Sequence, residues 1–274
     1  MIGQAIDMAG TTKNFLGCST PRTGSSLLCH LLKETNIAGM RTRGFPTAQE
    51  FVLKSMLDRK TLSFSDSSDV KAFLVRLFDV TRTKNGVGGF KMMWEQLAYV
   101  YEQAQGFLGG SCVYDLHRFF PPGIRYIWLI RKDELRQAVS WAKAIQTDAW
   151  DCHQQLKYKG SYRFDFYRIR NLLYMIRERN RQWALFFEHN HIQPWIISYE
   201  ELIGDLLGTV RLIFDYLDVD YSPKMNIQNS YFSRQSDWVN DRWVMKFRWY
   251  QRMLTAGRML GVHRIVHRGC KRRG

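Results

Sequence analysis

The sequence lacks several features that would place the protein in a specialised class. No apolar run approaches the roughly 18–20 residues that cross a bilayer, and the first residues do not combine a basic segment with an apolar core, as a secretory signal does. The only cysteines, at positions 18, 29, 112, 152 and 270, form no Cys-x-x-Cys pair and no zinc-site spacing. We therefore expect reduced thiols and a cytoplasmic setting.

Linkers and acidic residues are also scarce. No repeat, low-complexity tract or Pro/Gly-rich linker interrupts the 274 residues, which predicts a single domain over residues 1–274. The 40 Lys and Arg outnumber the 25 Asp and Glu, giving a formal net charge of +15. This excess predicts an anionic partner but leaves nucleotide, nucleic acid and membrane open. Part of it lies in a basic tail, about residues 263–274, which is either a frayed end or a contact with anionic lipid.

Four short apolar segments, residues 14–18, 88–93, 124–130 and 195–199, have the composition of buried strands. Helical patterns follow the first, third and fourth, the first from about residue 25 to 34 and the last running through residue 214. Strands alternating with helices predict an α/β fold with a mainly parallel sheet and helices on both faces. In such a sheet, ligands bind at the carboxyl ends of the strands.

The first of these segments leads into a loop with the sequence Ser-Thr-Pro-Arg-Thr-Gly-Ser-Ser at residues 19–26. A helix beginning here directs backbone N–H groups at an anion, while Ser25 and Ser26 add donors and Arg22 adds charge. The Gly-Lys-[Ser/Thr] ending of a Walker A loop is absent. The alternative is an ordinary helix start, with Ser25 as the capping residue and Gly24 serving the turn.

A second group of polar residues follows the third segment. Arg131 comes directly after the apolar run, and Ser140 lies two turns into the next helical pattern. The two side chains are candidates for holding a second phosphate group. The alternative is a solvated charge at a strand end and a hydroxyl on a helix surface.

Together, these two groups resemble the phosphate sites of sulfotransferases that use 3′-phosphoadenosine 5′-phosphosulfate (PAPS). Longer blocks are similar to the bacterial trehalose 2-sulfotransferase family and its lipopolysaccharide sulfotransferase relatives. The blocks are residues 22–28 with 37–39, 85–94, 137–141 with 145–147, and 234–237 with 241–247. They include Asn-Gly-Val-Gly-Gly-Phe-Lys-Met-Met-Trp at residues 85–94, and they keep their order from about residue 15 to 247.

The resemblance implies a P-loop-like three-layer α/β sandwich, PAPS as the donor, no metal, a hydroxyl of a sugar or glycolipid as the acceptor, and a homodimer. It places the 5′-phosphosulfate in the loop formed by Arg22, Thr23, Gly24, Ser25 and Ser26. It assigns the 3′-phosphate to Arg131 and Ser140, and closure over the nucleotide to Arg234 and Gln235. Lys91 occupies the position of a lysine directed at the transferring group. Cations fixed around those oxygens stabilise the charge that develops during transfer.

The general base is where the sequence departs from the family. The family has a glutamate shortly after an Ala-Gly pair, and the ungapped position here is Arg43, which stays protonated at neutral pH. A shifted alignment brings Glu50 onto the motif, so Glu50 is the predicted base. The alternative is a solvated carboxylate, with His30, His117 and His153 in reserve.

Three other functions compete with this interpretation. A P-loop-type nucleotide kinase would need a lysine after the loop glycine and a magnesium-binding acid at a strand end, and neither is present. A non-catalytic basic module binding nucleic acid would need a basic face with stacking aromatic residues. Phosphosulfate recognition already accounts for much of the charge, so no nucleic-acid partner is expected. A sulfotransferase fold that binds PAPS but lacks a base is the intermediate case.

Overall fold

The structure is a computed structural model that describes residues 13–38, 63–109, 112–150, 163–227 and 238–259. The chain divides into two compact units, described separately below. Unit 1 comprises Met1–Lys132 and Ile176–Phe232, and unit 2 comprises Asp133–Met175 and Ser233–Gly274. The loop after the first strand, Lys91 and Arg131 all belong to unit 1, whereas Ser140 belongs to unit 2.

Unit 1 is built on a parallel sheet of four described strands in the order β2-β1-β3-β4. The strands are β1 (Lys13–Ser19), β2 (Val87–Met93), β3 (Arg125–Ile130) and β4 (Trp195–Ser198). All four predicted strands are confirmed to within two residues at each end. Because the strands are parallel, their carboxyl ends meet at one edge of the sheet, where the loop at residues 20–24 begins.

Eight α-helices are described. In chain order they are α1 (Ser25–Thr35), α2 (Ser67–Asp79), α3 (Trp94–Ala104), α4 (Glu134–Thr147), α5 (Phe166–His189), α6 (Tyr199–Gly204), α7 (Leu206–Leu217) and α8 (Trp238–Met259). The single helix predicted after β4 is in fact two, because Asp205 takes an extended conformation and caps α7 by accepting a hydrogen bond from Gly208 N at 2.8 Å. None of the helices in the described part of the chain is both long and apolar enough to cross a membrane.

The two faces of the sheet carry separate hydrophobic cores because successive strand residues point in opposite directions. Leu16 and Met92 belong to the core packed by α2, α3 and α5. Phe15 and Ile127 belong to the core packed by α1 and α7. The predicted parallel sheet with helices on both faces is therefore confirmed.

Unit 2 contains α4, the first part of α5, and α8. Asp133 caps α4 by accepting a hydrogen bond from Arg136 N at 2.8 Å, and the Arg136 side chain forms an ion pair with Asp241 of α8. Aromatic residues fill the space between α5 and α8, where the rings of Phe166 and Phe247 stack with centroids 4.8 Å apart. These contacts bury one side of α8 and leave its other side exposed.

Candidate active site

The carboxyl ends of β1 and β2 are held together at the start of the loop. Trp183 is fully buried and donates a hydrogen bond from its indole nitrogen to the Ser19 carbonyl at 3.2 Å. The Ser19 hydroxyl lies 3.3 Å from Met93 Sδ at the end of β2. The chain therefore enters the loop from a fixed point beside both strand ends.

The loop itself turns through two left-handed backbone positions. Arg22 has φ 68° and Gly24 has φ 85°, and between them the Thr23 hydroxyl donates to the Thr20 carbonyl at 3.0 Å. A Cβ atom on Gly24 would lie 2.5 Å from Tyr199 Cδ2. Only glycine satisfies both the positive φ and this close approach.

Helix α1 begins immediately after Gly24, and its amino end is suited to an anion. No side chain in the described part of the chain caps it, and its first turn has no acidic residue. The alternative role of Ser25 as the capping residue is therefore wrong, because Gly24 occupies the cap position. Free backbone N–H groups and the positive end of the helix dipole favour a bound phosphate or sulfate here.

Lys91 reaches this helix end from the neighbouring strand. It lies two residues before the end of β2, opposite Gly17 in the register, and is only 7% exposed. Its Nζ atom donates to Ser26 Oγ at 3.3 Å. Burial raises the pKa of the nearby Cys29 thiol, and the Lys91 cation lowers it in part. Lys91 thus places a positive charge beside the loop hydroxyls.

Arg131 approaches the loop from β3. Its side chain is buried, its Nη1 atom donates to the Arg22 carbonyl at 3.3 Å, and its guanidinium lies 4.4 Å from the centre of the Tyr199 ring. The structure therefore brings Arg131, Lys91 and the loop at residues 20–24 to one edge of the sheet. Ser140, the predicted partner of Arg131, lies half-buried in α4 of unit 2, and the shared phosphate site stays a prediction.

A set of polar contacts at the start of α6 holds Tyr199 in place. Ser198 caps α6 by accepting from Glu201 N at 3.1 Å, while Glu201 accepts from Ser198 N at 2.9 Å. Glu201 also pairs with Lys132 at 2.8 Å. The Lys132 hydrogen bond is the main reason that the pKa of Glu201 falls to about 2. These contacts tie the residue after Arg131 to the residues that flank Tyr199.

Several predicted residues, namely Arg43, Glu50, His153, Arg234 and Gln235, lie outside the described residues. Two of the three reserve histidines are described. His30 Nε2 lies 3.1 Å from Glu34 Oε1 one turn along α1. His117 Nδ1 lies 2.7 Å from the Tyr126 hydroxyl, and burial lowers the pKa of this histidine.

The position of His117 separates it from the loop. It lines a cavity of about 650 Å³ at the amino ends of β3 and β4, together with residues 121–126 and 190–193. That edge of the sheet is opposite the carboxyl edge where the loop begins. His117 is therefore placed too far along the strands to act on a group bound at the loop.

Three residues at the carboxyl edge were not predicted from the sequence, namely Tyr199, Trp183 and Glu95. Tyr199 directly follows β4, and this position at a strand end was the signal that could have identified it. Trp183 carries no such signal because it lies within a long helix. Glu95, in the first turn of α3, pairs with Arg179 at 2.6 Å. Arg179 precedes Trp183 by one helical turn and lies on the same face of α5.

The arrangement as a whole is a candidate anion site, and the acidic side chains Glu95 and Glu201 at the same edge are each paired with a cation. It combines the amino end of α1, two serine hydroxyls, a buried lysine and a buried arginine. Hydrogen-bond donors and cations that already stand in position can bind a phosphate or sulfate ester and stabilise additional negative charge on its oxygens.

Comparisons with known proteins agree with this chemistry. The model of the Stf0 sulphotransferase family matches residues 14–250. A trehalose 2-sulfotransferase of Mycobacterium tuberculosis is 26% identical over 263 residues, covering 88% of this chain and 96% of the relative. A trehalose 2-sulfotransferase of Mycolicibacterium smegmatis is 25% identical over 260 residues, covering 85% of this chain and 94% of the relative.

Two solved structures are also similar. The sulfotransferase domain from the curacin biosynthetic pathway has a TM-score of 0.42 at 14% identity, over 77% of this chain and 75% of that one. The sulfotransferase domain of the Synechococcus PCC 7002 olefin synthase has a TM-score of 0.40 at 15% identity, over 86% and 88%. The family assignment depends on the sequence matches alone.

Proposed function

The chain belongs to the Stf0 sulphotransferase family and is a sulfotransferase, and from that premise we propose that it moves the sulfuryl group of PAPS to a hydroxyl of a carbohydrate or glycolipid. The observation that supports this proposal best is that two cationic side chains, Lys91 and Arg131, converge on the loop before α1 and the first turn of that helix. Lys91 Nζ lies 3.3 Å from Ser26 Oγ, and Arg131 Nη1 lies 3.3 Å from the Arg22 carbonyl. Two cations from different strands therefore flank the amino end of α1.

In this proposal each part of PAPS is bound by its own set of residues. The backbone N–H groups and hydroxyls from Arg22 to Ser26 hold the 5′-phosphosulfate, and Arg131 holds the 3′-phosphate with Ser140. Arg234 and Gln235 close over the nucleotide. When bound, PAPS supplies an activated sulfuryl group with a good leaving group. These sites need no metal, because lysine and arginine already supply the positive charge.

Lys91 acts on the step in which the sulfur–oxygen bond to the nucleotide breaks and the bond to the acceptor oxygen forms. Negative charge builds on the bridging oxygen, and the ammonium group beside the loop stabilises it. Ser26 orients that ammonium group by accepting one of its hydrogens. Glu50 takes the proton that leaves the acceptor hydroxyl.

The acceptor class follows from the relatives. Both relatives reported above are named trehalose 2-sulfotransferases. Their names support a sugar hydroxyl, or a glycolipid that carries one, as the acceptor. The segment around residues 39–50 differs from the family motif, since Arg43 occupies the usual glutamate position. We therefore propose a sugar acceptor other than trehalose itself.

The proposed setting is cytoplasmic, and the proposed assembly is a homodimer. The described cysteines Cys18, Cys29 and Cys112 are free thiols, as expected in a reducing compartment. The homodimer is supported by the family resemblance alone.

A melting experiment tests the donor. Adenosine 3′,5′-bisphosphate should raise the melting temperature by mass action, because it binds the folded chain and not the unfolded one. ATP with magnesium should stabilise much less, since it has no 3′-phosphate for Arg131. Equal stabilisation by ATP would favour a nucleotide kinase over a PAPS enzyme.

The Arg131→Ala variant separates the two phosphate positions. Its affinity for adenosine 3′,5′-bisphosphate should fall by about 1.5–3 kcal/mol, the range for a hydrogen bond to a charged group. Adenosine 5′-phosphosulfate, which lacks the 3′-phosphate, should be affected far less. Equal losses for both ligands would show that Arg131 acts only by supporting the loop through the Arg22 carbonyl.

A further inference from the structure

Helix α8 has an exposed face that no described residue covers. Its buried side is formed by residues that include Val239, Trp243 and Phe247; the Trp243 ring lies against Phe164, and the Phe247 ring stacks on Phe166 at the start of α5. The opposite side carries Trp238, Met245, Trp249 and Met253, whose side chains are between 56% and 69% exposed. Steps of seven, four and four residues place these four on one stripe of a helix with 3.6 residues per turn.

Basic residues border this stripe on both sides. Arg242 lies on the stripe itself, four residues after Trp238 and three before Met245, while Lys246 lies on one flank and Arg248 and Arg252 on the other; all four are exposed. Between Trp238 and the end of the sequence there are ten Lys and Arg but a single acidic residue, Asp241. Asp241 is itself paired with Arg136, so the face is uniformly positive.

Exposed tryptophan and methionine side chains on a cationic helix face favour a partner that offers both apolar surface and negative charge. Contiguous apolar surface on a protein marks an interaction site. Tryptophan favours the boundary between headgroups and acyl chains, where its ring is buried and its N–H stays near water. Arginine and lysine beside it attract anionic headgroups. We propose that this face of α8 docks on the surface of an anionic lipid bilayer.

A second copy of the chain would suit the same apolar stripe less well. Two-fold pairing would bring two cationic faces together, and the one acidic residue of described α8, Asp241, is already paired with Arg136. A lipid surface supplies the missing negative charge. The basic residues that follow α8 in sequence, from Arg264 to Arg273, add to the same attraction.

Co-sedimentation of the full chain with lipid vesicles tests the proposal. The protein should sediment with vesicles of equal parts phosphatidylcholine and phosphatidylglycerol, and should stay in solution with phosphatidylcholine alone. Trp238→Ala combined with Trp249→Ala should weaken binding on the order of tenfold, because apolar area no longer enters the interface. The matched control combines Tyr174→Ala with Leu212→Ala, which removes comparably exposed apolar groups elsewhere and should change nothing.

A second variant, Met245→Glu combined with Met253→Glu, tests the same face without truncating an aromatic residue. Its added negative charges are repelled by anionic lipid, so its binding to the vesicles should also weaken. Circular dichroism melts establish that each variant is folded. Equal binding to both vesicle types, or equal binding by the tryptophan variant and its control, would overturn the proposal. So would light scattering that shows a dimer broken by the tryptophan substitutions, because the face would then be an interface between copies. No outcome depends on sulfuryl transfer, so the proposed function is tested separately.

Discussion

At the scale of single residues, Lys91 is the group on which transfer should depend most. It is buried, it donates to Ser26 Oγ at 3.3 Å, and its charge faces the amino end of α1. If it stabilises charge that appears only during transfer, Lys91→Ala should lower kcat by about 100- to 1,000-fold, as loss of one oxyanion donor does. Binding of adenosine 3′,5′-bisphosphate, measured by calorimetry, should change little.

Lys84→Ala is the control for this substitution. Lys84 is exposed in the turn before β2, so its removal should leave both kcat and affinity unchanged. If Lys91→Ala lost affinity and kcat in proportion, Lys91 would be a ground-state ligand of the nucleotide and the proposed role in transfer would be wrong.

Glu50 is the proposed base, and its test is a pH profile. A carboxylate must be ionised to accept the proton, so the rate should fall as the pH drops through its pKa. Glu50→Gln should lower kcat and remove that acidic limb. Ordinary activity in Glu50→Gln, with the limb retained, would assign the base to another residue and would leave the donor site untouched.

The sequence predicted which kind of residue a loop position needs, but it did not predict which distant residue contacts that position. Gly24 was expected at a turn, and the structure adds the reason, which is the positive φ together with the approach of Tyr199. The contact between Trp183 and Ser19 joins residues 164 positions apart. No local pattern encodes such a contact, because it arises only when α5 packs on the sheet.

At the scale of elements, α6 is a short helix that depends on its capping contacts. The carboxylate of Glu201 accepts from Ser198 N and pairs with Lys132. The pKa of Glu201 is about 2, below its ordinary 4.5, so the ionised form favours the folded state. This contribution is present above pH 4.5 and is lost as the pH falls toward 2.

Glu201→Gln should therefore lower the melting temperature at neutral pH, and the difference from the unaltered chain should shrink between pH 4.5 and 2. Thermal melts across this range measure it. Glu188→Gln is the control, since the Glu188 side chain is exposed on α5. A melting difference that stayed constant with pH would show that the ionised carboxylate is not what stabilises α6.

The elements themselves were largely predictable. Buried parallel strands are continuous apolar runs, and such runs identified all four. The break at Asp205 was missed because the apolar pattern continues across it, and only the cap on Gly208 N ends the periodicity. The predicted strand at residues 88–93 already placed Lys91 two residues before its end, but the register that sets Lys91 opposite Gly17 is not fixed by the sequence alone.

At the scale of the whole molecule, the net charge of +15 should raise the association rate of the anionic nucleotide. A positive field raises the association rate of an anion but does not hold it once bound. The Debye length falls from about 30 Å at 0.01 M salt to about 8 Å at 0.15 M, so the effect is expected mainly at low salt. Arg131 should instead lower the dissociation rate of the nucleotide, because it is buried beside the loop.

Replacing Arg264, Arg268, Lys271, Arg272 and Arg273 by glutamine lowers the net charge by five, from +15 to +10. In stopped-flow measurements at low salt, this variant should bind adenosine 3′,5′-bisphosphate about two- to tenfold more slowly, with an unchanged dissociation rate. The difference should largely disappear at physiological salt. Arg131→Ala should instead raise the dissociation rate at both salt concentrations, because a buried contact is screened little. If the glutamine variant also dissociated faster, the basic tail would have to contact the nucleotide directly, and its role would extend beyond the field of the molecule.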